Sequence, residues 1–526
     1  MKPVQIWNRI WRKRLSLVRR PQPPSSSSLL PEFRFLNVTG RPNGWNDPRF
    51  EKLWLYNLHY FDCLVREGIL TQRHGDTERG ALILRWIREN PKGWGNGWEP
   101  YPISLRVVNW VKWLLGAKTE IQDEQRRIIA DSLREQVEWL CPRLEYHLLA
   151  NHLLANAKAL VFAGAYFLTQ GHGDAEGRRF LRKGLAIYEK ELPEQVLTDG
   201  VHFERSPMYH CIILEDVLDC SALLKSMLEA EAAEAGHLLA GVCRRDGGST
   251  IFSNCFKEYA EKMLAGLRLL TGPDGKIAKF NDATEGIART PAELFSSAGK
   301  LGLKALDLRS LPLHQPSTSP SPTTSSGFVR IENSPYCLIA KMGEIGPDYQ
   351  PGHAHADTGT FELWKGERKI VGDTGCSTYV PGAIRSSERS TAAHNAVIVD
   401  GENSSEVWAA HRVARRGKIL TQRHGDTECA VAYRDFRGFE IRRTLKLAAD
   451  GLHGVDEVRG TGSHEVEIRW HLPPGVGKDE VAIACPGELT WEPCEFAEGW
   501  NRRKAGVCAV FRARVTLPAK FDWTIV

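Results

Sequence analysis

The feature that most constrains the fold is a change in hydrophobic period on either side of a run of Pro, Ser and Thr. Before that run, apolar residues recur every three or four positions, as in 129–140, which is typical of helices. After it they alternate with polar residues, as in 466–472, which predicts strands with one buried face. The run itself, 314–327 (HQPSTSPSPTTSSG), can bury little apolar surface. The sequence therefore predicts an all-α domain followed by an all-β sandwich.

The expected boundaries follow from this change of period. We expect a basic tail with a Pro/Ser-rich linker over 1–40, a helical catalytic domain over 41–313, a linker over 314–327 and a β-sandwich domain over 328–526. A chain of 526 residues is long enough for two large domains, each with its own core.

The basic charge is concentrated at the N-terminus. The formal net charge is +5, and seven basic residues with no acidic one fall between Met1 and Arg20, so the remainder carries −2. That balance argues against a nucleic-acid partner for the body of the protein. Within the tail, 6–11 places Ile and Trp pairs at i, i+4 spacing among arginines. Two interpretations stay open: a helix in peripheral contact with an anionic membrane, or a frayed basic tail.

Export and disulfide formation leave no clear signature in the sequence. The N-terminal segment lacks an apolar stretch followed by a small-residue cleavage site, so we expect no secretory signal, and location stays open between the cytoplasm and another route of export. Twelve cysteines are scattered without a CxxC pair, which is typical of buried thiols.

The first polar cluster lies on a predicted helix rich in leucine. Asn151 and His152 occur there, and His152 shares a face with Asn156 at i, i+4. Polar groups in so apolar a helix need partners. They either satisfy one another in a buried network or line a cleft.

The second cluster, 204–210 (ERSPMYH), contains a predicted helix start. Ser206 is a suitable N-cap residue, and a proline follows it at the first helical position. Tyr209 then falls in the first turn, where the helix dipole and the nearby Arg205 both favour a phenolate and would lower its pKa. A tyrosine general base needs such help, although tyrosines at helix starts also serve structural roles.

The third cluster falls in the β domain. His353 and His355 are two residues apart and point to the same side of an extended chain. Asp373 and His394 follow on later segments. Histidines combined with a carboxylate suit zinc, and chance pairing on an exposed strand is the alternative.

Taken in order, these segments resemble the heparinase II/III family of polysaccharide lyases, which includes related alginate lyases. The resemblance rests on LYNLHYFD (Leu55–Asp62), WEPYP (Trp98–Pro102), SLR (Ser104–Arg106), Asn151-His152, ERSPMYH (Glu204–His210), GHAHAD (Gly352–Asp357) and RSTAAHNAVIVDG (Arg389–Gly401). It implies an N-terminal incomplete (α/α) toroid followed by an antiparallel β-sandwich. Family members are often periplasmic.

The resemblance also implies β-elimination on an acidic polysaccharide that contains uronic acid. Asn151 and His152 would neutralise the uronate carboxylate, while Tyr209 and His353 would act as base and acid. One Zn²⁺ per chain would be held by His355, Asp373 and His394. The residues expected beside the substrate are Glu204, Arg205, His210 and Arg389. Arg205 departs from the apolar residue common at that position, so we expect an altered subsite.

Two other classes of function stay open. A glycoside hydrolase on a similar toroid would need two carboxylates across the scissile bond, whereas the motifs here are rich in His, Asn and Tyr. A non-catalytic protein of bacterial surface-polysaccharide assembly is the other alternative. The sequence leaves the polymer, the mode of cleavage and the oligomeric state open.

Overall fold

The computed structural model describes residues 1–16, 29–71, 75–116, 121–169, 174–234, 248–306 and 326–526. The chain divides into two compact units, each built from two segments. The first unit consists of Met1–Pro193 and Asp216–Lys257, and the second consists of Glu194–Glu215 and Glu258–Val526. The second unit therefore contains the predicted β domain together with two segments of the predicted helical domain.

Helices make up most of the described chain before residue 301, and one short helix lies among the later strands. They are α1 (Pro3–Ser16), α2 (Lys52–Tyr60), α3 (Asp76–Glu89), α4 (Pro100–Gly116), α5 (Asp123–Leu140), α6 (Ala150–Thr169), α7 (Asp174–Gln195), α8 (Pro207–Glu234), α9 (Gly248–Leu270), α10 (Pro291–Lys300) and the short α11 (Ala383–Glu388). The stripe of Ile129, Leu133, Val137 and Leu140 is fully buried along α5, as its spacing predicts. Helix α6 is apolar on all sides and buried along most of its length.

Several of the family motifs form the core of the first unit. Arg106 is buried there; its N–H groups donate to Gln136 Oε1 at 2.9 Å, Gly97 O at 2.8 Å and His59 O at 3.2 Å. Its guanidinium lies 3.9 Å from the ring centre of Trp86. Because a buried charge requires such partners, this arginine ties neighbouring helices and loops together.

The strands pair in antiparallel sheets; a small two-stranded sheet precedes α2, and the other strands of the described residues follow α10. They are β1 (Phe33–Phe35), β2 (Val38–Gly40), β3 (Phe328–Asn333), β4 (Tyr336–Lys341), β5 (Phe361–Lys365), β6 (Arg368–Val371), β7 (Val397–Val399), β8 (Val407–Trp408), β9 (Arg412–Val413), β10 (Lys418–His424), β11 (Glu428–Arg434), β12 (Glu440–Ala448), β13 (Gly451–Arg459), β14 (Ser463–Leu472), β15 (Ile483–Ala484), β16 (Leu489–Gly499), β17 (Arg502–Thr516) and β18 (Ala519–Ile525). The larger sheets have the orders β10-β11-β12-β13-β18-β15, β16-β17-β14-β7 and β3-β4-β5-β6.

The core of the second unit lies between these three sheets. Phe361 of β5 stacks on Trp523 of β18 with ring centroids 5.8 Å apart, and Trp470 of β14 meets Trp523 edge-on at 5.3 Å. One aromatic side chain from each sheet thus enters a single buried cluster. The predicted order, helices first and antiparallel strands afterwards, is confirmed.

The predicted tail and linkers differ in how much of them the structure covers. Residues 3–16 form helix α1, so the frayed-tail interpretation is wrong for this segment. Both Pro/Ser-rich linkers fall largely outside the described residues, so the boundaries at 313 and 328 stay predictions.

Among the described helices, none has the length and apolar character to cross a lipid bilayer.

A buried ion pair in the β core gives a test of this packing. Arg443 on β12 and Asp456 on β13 form two hydrogen bonds of 2.7 and 2.8 Å, and both side chains are inaccessible to solvent. We expect Asp456→Ala to lower the free energy of unfolding by about 3–5 kcal/mol, because Arg443 is left buried without its counter-charge. Urea unfolding followed by circular dichroism measures this loss.

The matched control is Asp522→Ala on the neighbouring strand β18. The Asp522 side chain is 68% exposed and pairs with Lys520 at 3.3 Å, so its removal should change stability little. Equal unfolding curves for the two variants would contradict the stabilising role of the Arg443–Asp456 pair.

Candidate active site

Tyr209 and His353 lie against each other in the second unit. Their ring centroids are 3.8 Å apart, with 27° between the ring planes. Tyr209 occupies the first turn of α8, where its backbone N–H donates to Ser206 Oγ at 3.3 Å, as the N-cap prediction requires. The Ser206 hydroxyl donates in turn to Asp282 O at 2.6 Å. Two motifs that are 144 positions apart in the sequence are therefore in contact.

A buried carboxylate, Asp282, fixes the orientation of both histidines of the GHAHAD motif. His353 Nδ1–H donates to Asp282 Oδ2 at 2.9 Å, and His355 Nε2–H donates to Asp282 Oδ1 at 2.9 Å. An ionised carboxylate only accepts hydrogen bonds, so each ring carries its proton on the nitrogen that faces Asp282. The unprotonated, basic nitrogen of His353 is therefore Nε2. The ring that carries it stacks on Tyr209.

Arg385 balances the charge of Asp282. Its guanidinium donates to both carboxylate oxygens, with Nη2 2.9 Å from Oδ2, and all of these side chains are buried. Burial disfavours the charged form of Asp282, but Arg385 and the hydrogen bonds from the two histidines outweigh it and hold its pKa well below the usual range. Burial also lowers the pKa of His355 to about 3, so its ring is neutral at physiological pH.

Sequence reasoning missed Asp282. It lies in 279–286 (KFNDATEG), which matches no catalytic motif and contains no histidine. The one local signal is Asn281, a residue type that tolerates positive φ, and it adopts φ +57° here. The Asn281 side chain donates to Arg205 O at 2.9 Å, and Arg205 itself has φ +56°. Non-glycine residues in this conformation are strained and concentrate at functional sites.

Tyr379 and His411 complete the surroundings and were also missed. The hydroxyl oxygens of Tyr379 and Tyr209 are 3.2 Å apart, and the ring of Tyr379 lies 4.8 Å from that of His411. Burial, together with the charge of Asp282, raises the pKa of Tyr379 well above its usual value, so the hydroxyl stays protonated. It can therefore donate to the Tyr209 oxygen. Both residues fall outside the motifs recognised in the sequence.

Two of the four residues expected beside the substrate have buried structural contacts. His210 Nε2–H donates to Met263 O at 3.0 Å, and its Nδ1 accepts from the His202 N–H at 3.2 Å. Arg389 donates to the carbonyls of Ala354, Trp408, Ala409 and Arg412 at 3.0–3.2 Å. These contacts favour roles in holding the loops around the site, and they lend no support to substrate contacts by His210 or Arg389.

Of the other two residues, Glu204 lies near His353, and Arg205 has a buried side chain. Glu204 Oε1 is 4.0 Å from His353 Nε2, and the Glu204 side chain is 1% exposed. Arg205 is also buried, and its Nε has no hydrogen-bond partner among the described residues. Burial lowers the pKa of the Arg205 guanidinium, while Glu344 and Asp199 favour its charge. Substrate contact by Glu204 and Arg205 stays a prediction.

The three predicted zinc ligands form a connected buried group. His394 Nδ1–H donates to Asp373 Oδ2 at 2.8 Å, and the rings of His355 and His394 are 5.3 Å apart. Nδ1 of His355 and Nε2 of His394 are buried without a hydrogen-bond partner among the described residues. Both oxygens of Asp373 already accept hydrogen bonds, from His394, Thr360 and the Gly375 N–H. Two ligand nitrogens thus fit a metal, while Asp373 orients His394.

A second set of side chains forms a candidate metal-binding triad. In the described part of the chain, Asp282, His353 and His411 bring their ligand atoms within 4.8 Å of one another. This triad overlaps the stacked pair, and Asp282 already accepts hydrogen bonds from Arg385, His353 and His355.

Asn151 and His152 lie in the first unit, at the start of α6. Leu149 and Ala150 immediately before them both have positive φ, at +62° and +50°. His152 Nδ1 is 3.2 Å from Glu145 Oε2, and its ring lies 4.6 Å from that of Tyr101. Asn156 belongs to the buried network around Glu145, whose backbone N–H donates to Asn156 Oδ1 at 2.7 Å. The strained turn beside Asn151 is what a positioned functional group would require, and its role stays a prediction.

Comparison with known proteins agrees with this architecture. Residues 82–297 match the family described as heparinase II/III N-terminus, and residues 315–518 match heparinase II/III-like, C-terminal. The heparin-sulfate lyase of Bacteroides stercoris is 22% identical over 369 residues, covering 68% of this chain and 50% of that protein. The chain spans about half the length of the curated relatives it matches.

Solved structures extend the likeness over the whole chain. A heparinase III superposes with a TM-score of 0.62 at 17% identity, covering 100% of this chain and 84% of that one. The Streptomyces coelicolor chondroitin AC lyase superposes with a TM-score of 0.51 at 12% identity, covering 100% and 80%. These likenesses define a class of proteins with an (α/α) toroid followed by an antiparallel β-sandwich. Within that class, the chain belongs to the heparinase II/III family.

The shared carboxylate predicts opposite tautomers for two neighbouring histidines. In metal-free protein with ¹⁵N-labelled histidine, we expect His353 to carry its proton on Nδ1 and His355 on Nε2, since both donate to Asp282. Nitrogen chemical shifts near neutral pH measure this, with His→Gln variants for assignment. Asp282→Asn should redistribute both tautomers, whereas Asp274→Asn, eight positions earlier, should not, since Asp274 accepts from the Lys276 N–H. Matching tautomers in the wild-type protein would contradict the arrangement.

Proposed function

We propose that the protein is a polysaccharide lyase that cleaves an acidic, uronic-acid-containing polysaccharide by β-elimination. The observation that carries the proposal is the stacked pair of Tyr209 and His353, with the histidine tautomer fixed by Asp282. A phenol and an imidazole with a defined basic nitrogen, in contact with each other, are the two proton-transfer groups that the reaction needs.

The elimination moves one proton off carbon and one onto oxygen. A base removes the C5 proton of the uronate; its bonding electrons form the C4=C5 double bond, and the C4–O bond breaks. The departing oxygen then takes a proton from an acid. Either Tyr209 or His353 can fill each role, and a hydrogen bond from Tyr379 would stabilise the Tyr209 oxygen when it carries charge. After the reaction the base holds the C5 proton and the acid has lost its own. Because the two rings are in contact, proton exchange between them can restore the starting state.

The carboxylate beside C5 must be neutralised before that proton becomes acidic enough to remove. The family resemblance assigns this task to Asn151 and, with it, His152. Both are donors of the required kind, and the strained backbone at Leu149 and Ala150 supports a positioned group at this helix start. Removal of the Asn151 amide is accordingly expected to affect turnover more than binding.

The proposed substrate class follows from the relatives' names. Heparin-sulfate lyases and a chondroitin AC lyase are similar to this chain, and their names specify acidic polysaccharides. Because identities are 12–24% in these comparisons, the particular polymer is open, and bacterial exopolysaccharides belong in the screen alongside heparan sulfate, chondroitin, hyaluronan and alginate.

For the metal, we propose one zinc ion per chain, bound by Nδ1 of His355 and Nε2 of His394, with Asp373, the third residue that the resemblance implies, orienting His394. The two unpartnered buried nitrogens support nitrogen ligation, and Asp357 Oδ2 is a further buried oxygen without a partner among the described residues. A metal here supplies positive charge that organises the site. The protons are moved by Tyr209 and His353.

The function is tested by Tyr209→Phe. We expect turnover to fall by at least about 10², because one proton-transfer group is lost, while the circular dichroism spectrum stays unchanged. Turnover is followed as ultraviolet absorbance of the conjugated product on the polymer that the screen identifies. Tyr433→Phe, which removes a hydroxyl from the β core, is the matched control and should keep activity.

Two results would overturn the proposal. Cleavage with new reducing ends but no absorbing product would indicate a hydrolase. Wild-type turnover by Tyr209→Phe would remove the tyrosine from the mechanism.

The metal assignment is tested by elemental analysis of purified variants. His394→Ala should lower the zinc content to near zero, because it removes one of two nitrogen ligands. The control is His464→Ala. His464 Nδ1 pairs with Asp400 Oδ2 at 2.7 Å and is not one of the proposed ligands, so this variant should keep its zinc. Loss of zinc on His411→Ala but not on His394→Ala would place the ion at the Asp282, His353 and His411 triad instead.

A further inference from the structure

Helix α1 buries two uncharged polar side chains and exposes four large apolar ones. Gln5 and Asn8 are 1% and 8% exposed. Gln5 Nε2 donates to His147 O at 3.5 Å, and the His147 N–H donates to Asn8 Oδ1 at 3.1 Å. These polar contacts dock the helix on the body of the first unit. An amphipathic helix that served only to cover its own domain would present the opposite pattern.

The outward face carries two isoleucines and two tryptophans. Ile6, Trp7, Ile10 and Trp11 are 48%, 72%, 49% and 42% exposed. Their i, i+4 spacing places them on one continuous side of the helix. An open cavity of about 390 Å³ adjoins them, lined by both tryptophans together with Asn8, Cys141, Pro142, Leu144 and Tyr146. Contiguous exposed apolar surface of this kind marks an interaction site.

The sequence segment that carries this face is basic. Seven basic residues and no acidic one lie between Met1 and Arg20, and Arg9 is exposed on the helix itself. We propose that the outward face of α1 binds the surface of an anionic phospholipid bilayer, with its apolar side chains among the acyl chains and its basic residues at the headgroups. Such helices lie about 5–10 Å into the boundary between headgroups and acyl chains.

The composition of the face favours lipid over polysaccharide. Sugar rings stack on flat aromatic side chains, and Trp7 and Trp11 could serve that purpose. Ile6 and Ile10 lie on the same side of the helix, and an aliphatic side chain offers a hydrated sugar ring neither a flat surface nor a polar partner. A bilayer interface accommodates both residue types, since tryptophan is enriched at headgroup level and isoleucine is stabilised below it.

The test is vesicle flotation of the full 526-residue chain, with any affinity tag placed after Val526. Vesicles of neutral phosphatidylcholine are compared with vesicles containing one-third phosphatidylglycerol. We expect the protein to float with the anionic vesicles only, and less at high salt, because counterions screen the basic residues. The double variant Trp7→Ser/Ile10→Ser should reduce partitioning by at least about tenfold, since two apolar side chains are lost.

Trp491→Ser is the matched control. Trp491 is 36% exposed on β16 in the second unit, and its loss should leave flotation unchanged. Circular dichroism and turnover of the double variant should equal those of the wild type, which separates this proposal from the proposed function. Absence of flotation, or flotation unchanged in the double variant, would overturn the proposal that α1 binds a bilayer. So would Trp7-dependent binding to acidic polysaccharide without binding to vesicles, or Trp7-dependent self-association in sedimentation.

Discussion

The arrangement of the candidate site depends on one buried charge, the carboxylate of Asp282. It accepts two hydrogen bonds from Arg385, through Nη1 and Nη2, and one each from His353 and His355. A lone buried carboxylate would cost several kcal/mol, so the bidentate arginine is what allows it to stay ionised. Because it stays ionised it can only accept, and this determines the tautomers of two histidines that the sequence places two residues apart. One ring then stacks on Tyr209 and the other leaves its Nδ1 without a partner among the described residues.

The opposite tautomers would let one short motif, GHAHAD, serve the two chemistries proposed above. His353 presents Nε2 on the ring that stacks on the tyrosine, and His355 presents Nδ1 on the other side of the shared carboxylate. Asp373 orients His394 as Asp282 orients His355. It accepts the proton of one ring nitrogen and leaves the other nitrogen buried without a hydrogen-bond partner among the described residues. A carboxylate behind each imidazole is the usual support for a metal-binding histidine. If the proposed roles hold, proton transfer and metal binding are separated by which oxygen of Asp282 each ring approaches.

The sequence predicts the fold well because hydrophobic period is a local property. The stripe along α5 and the alternation along β14 both reflect burial of one face, and both elements form where the pattern predicts. It also predicts the start of α8, since Ser206 and Pro207 determine that helix N-terminus by their own geometry. Helix α1 was harder to predict because its apolar residues face outward, so the pattern fits a loose tail equally well.

The site was only partly predictable. Tyr209, His353, His355 and His394 have motif neighbours that mark them, whereas Asp282, Tyr379 and Arg385 are isolated in sequence and matter because the fold brings them together. Arg389 shows the opposite case: it lies in a strong motif, but its donors are used by four backbone carbonyls, and its contact with substrate stays a prediction. A motif indicates that a residue is constrained, and only the packing shows whether chemistry or architecture constrains it.

The central claim, that this site breaks a glycosidic bond by elimination, is tested most directly by the masses of the two fragments released from a defined uronate oligosaccharide. Elimination adds no atoms, so the account predicts that the two fragment masses sum to the mass of the substrate. Fragment masses that exceed the substrate by one water would contradict it.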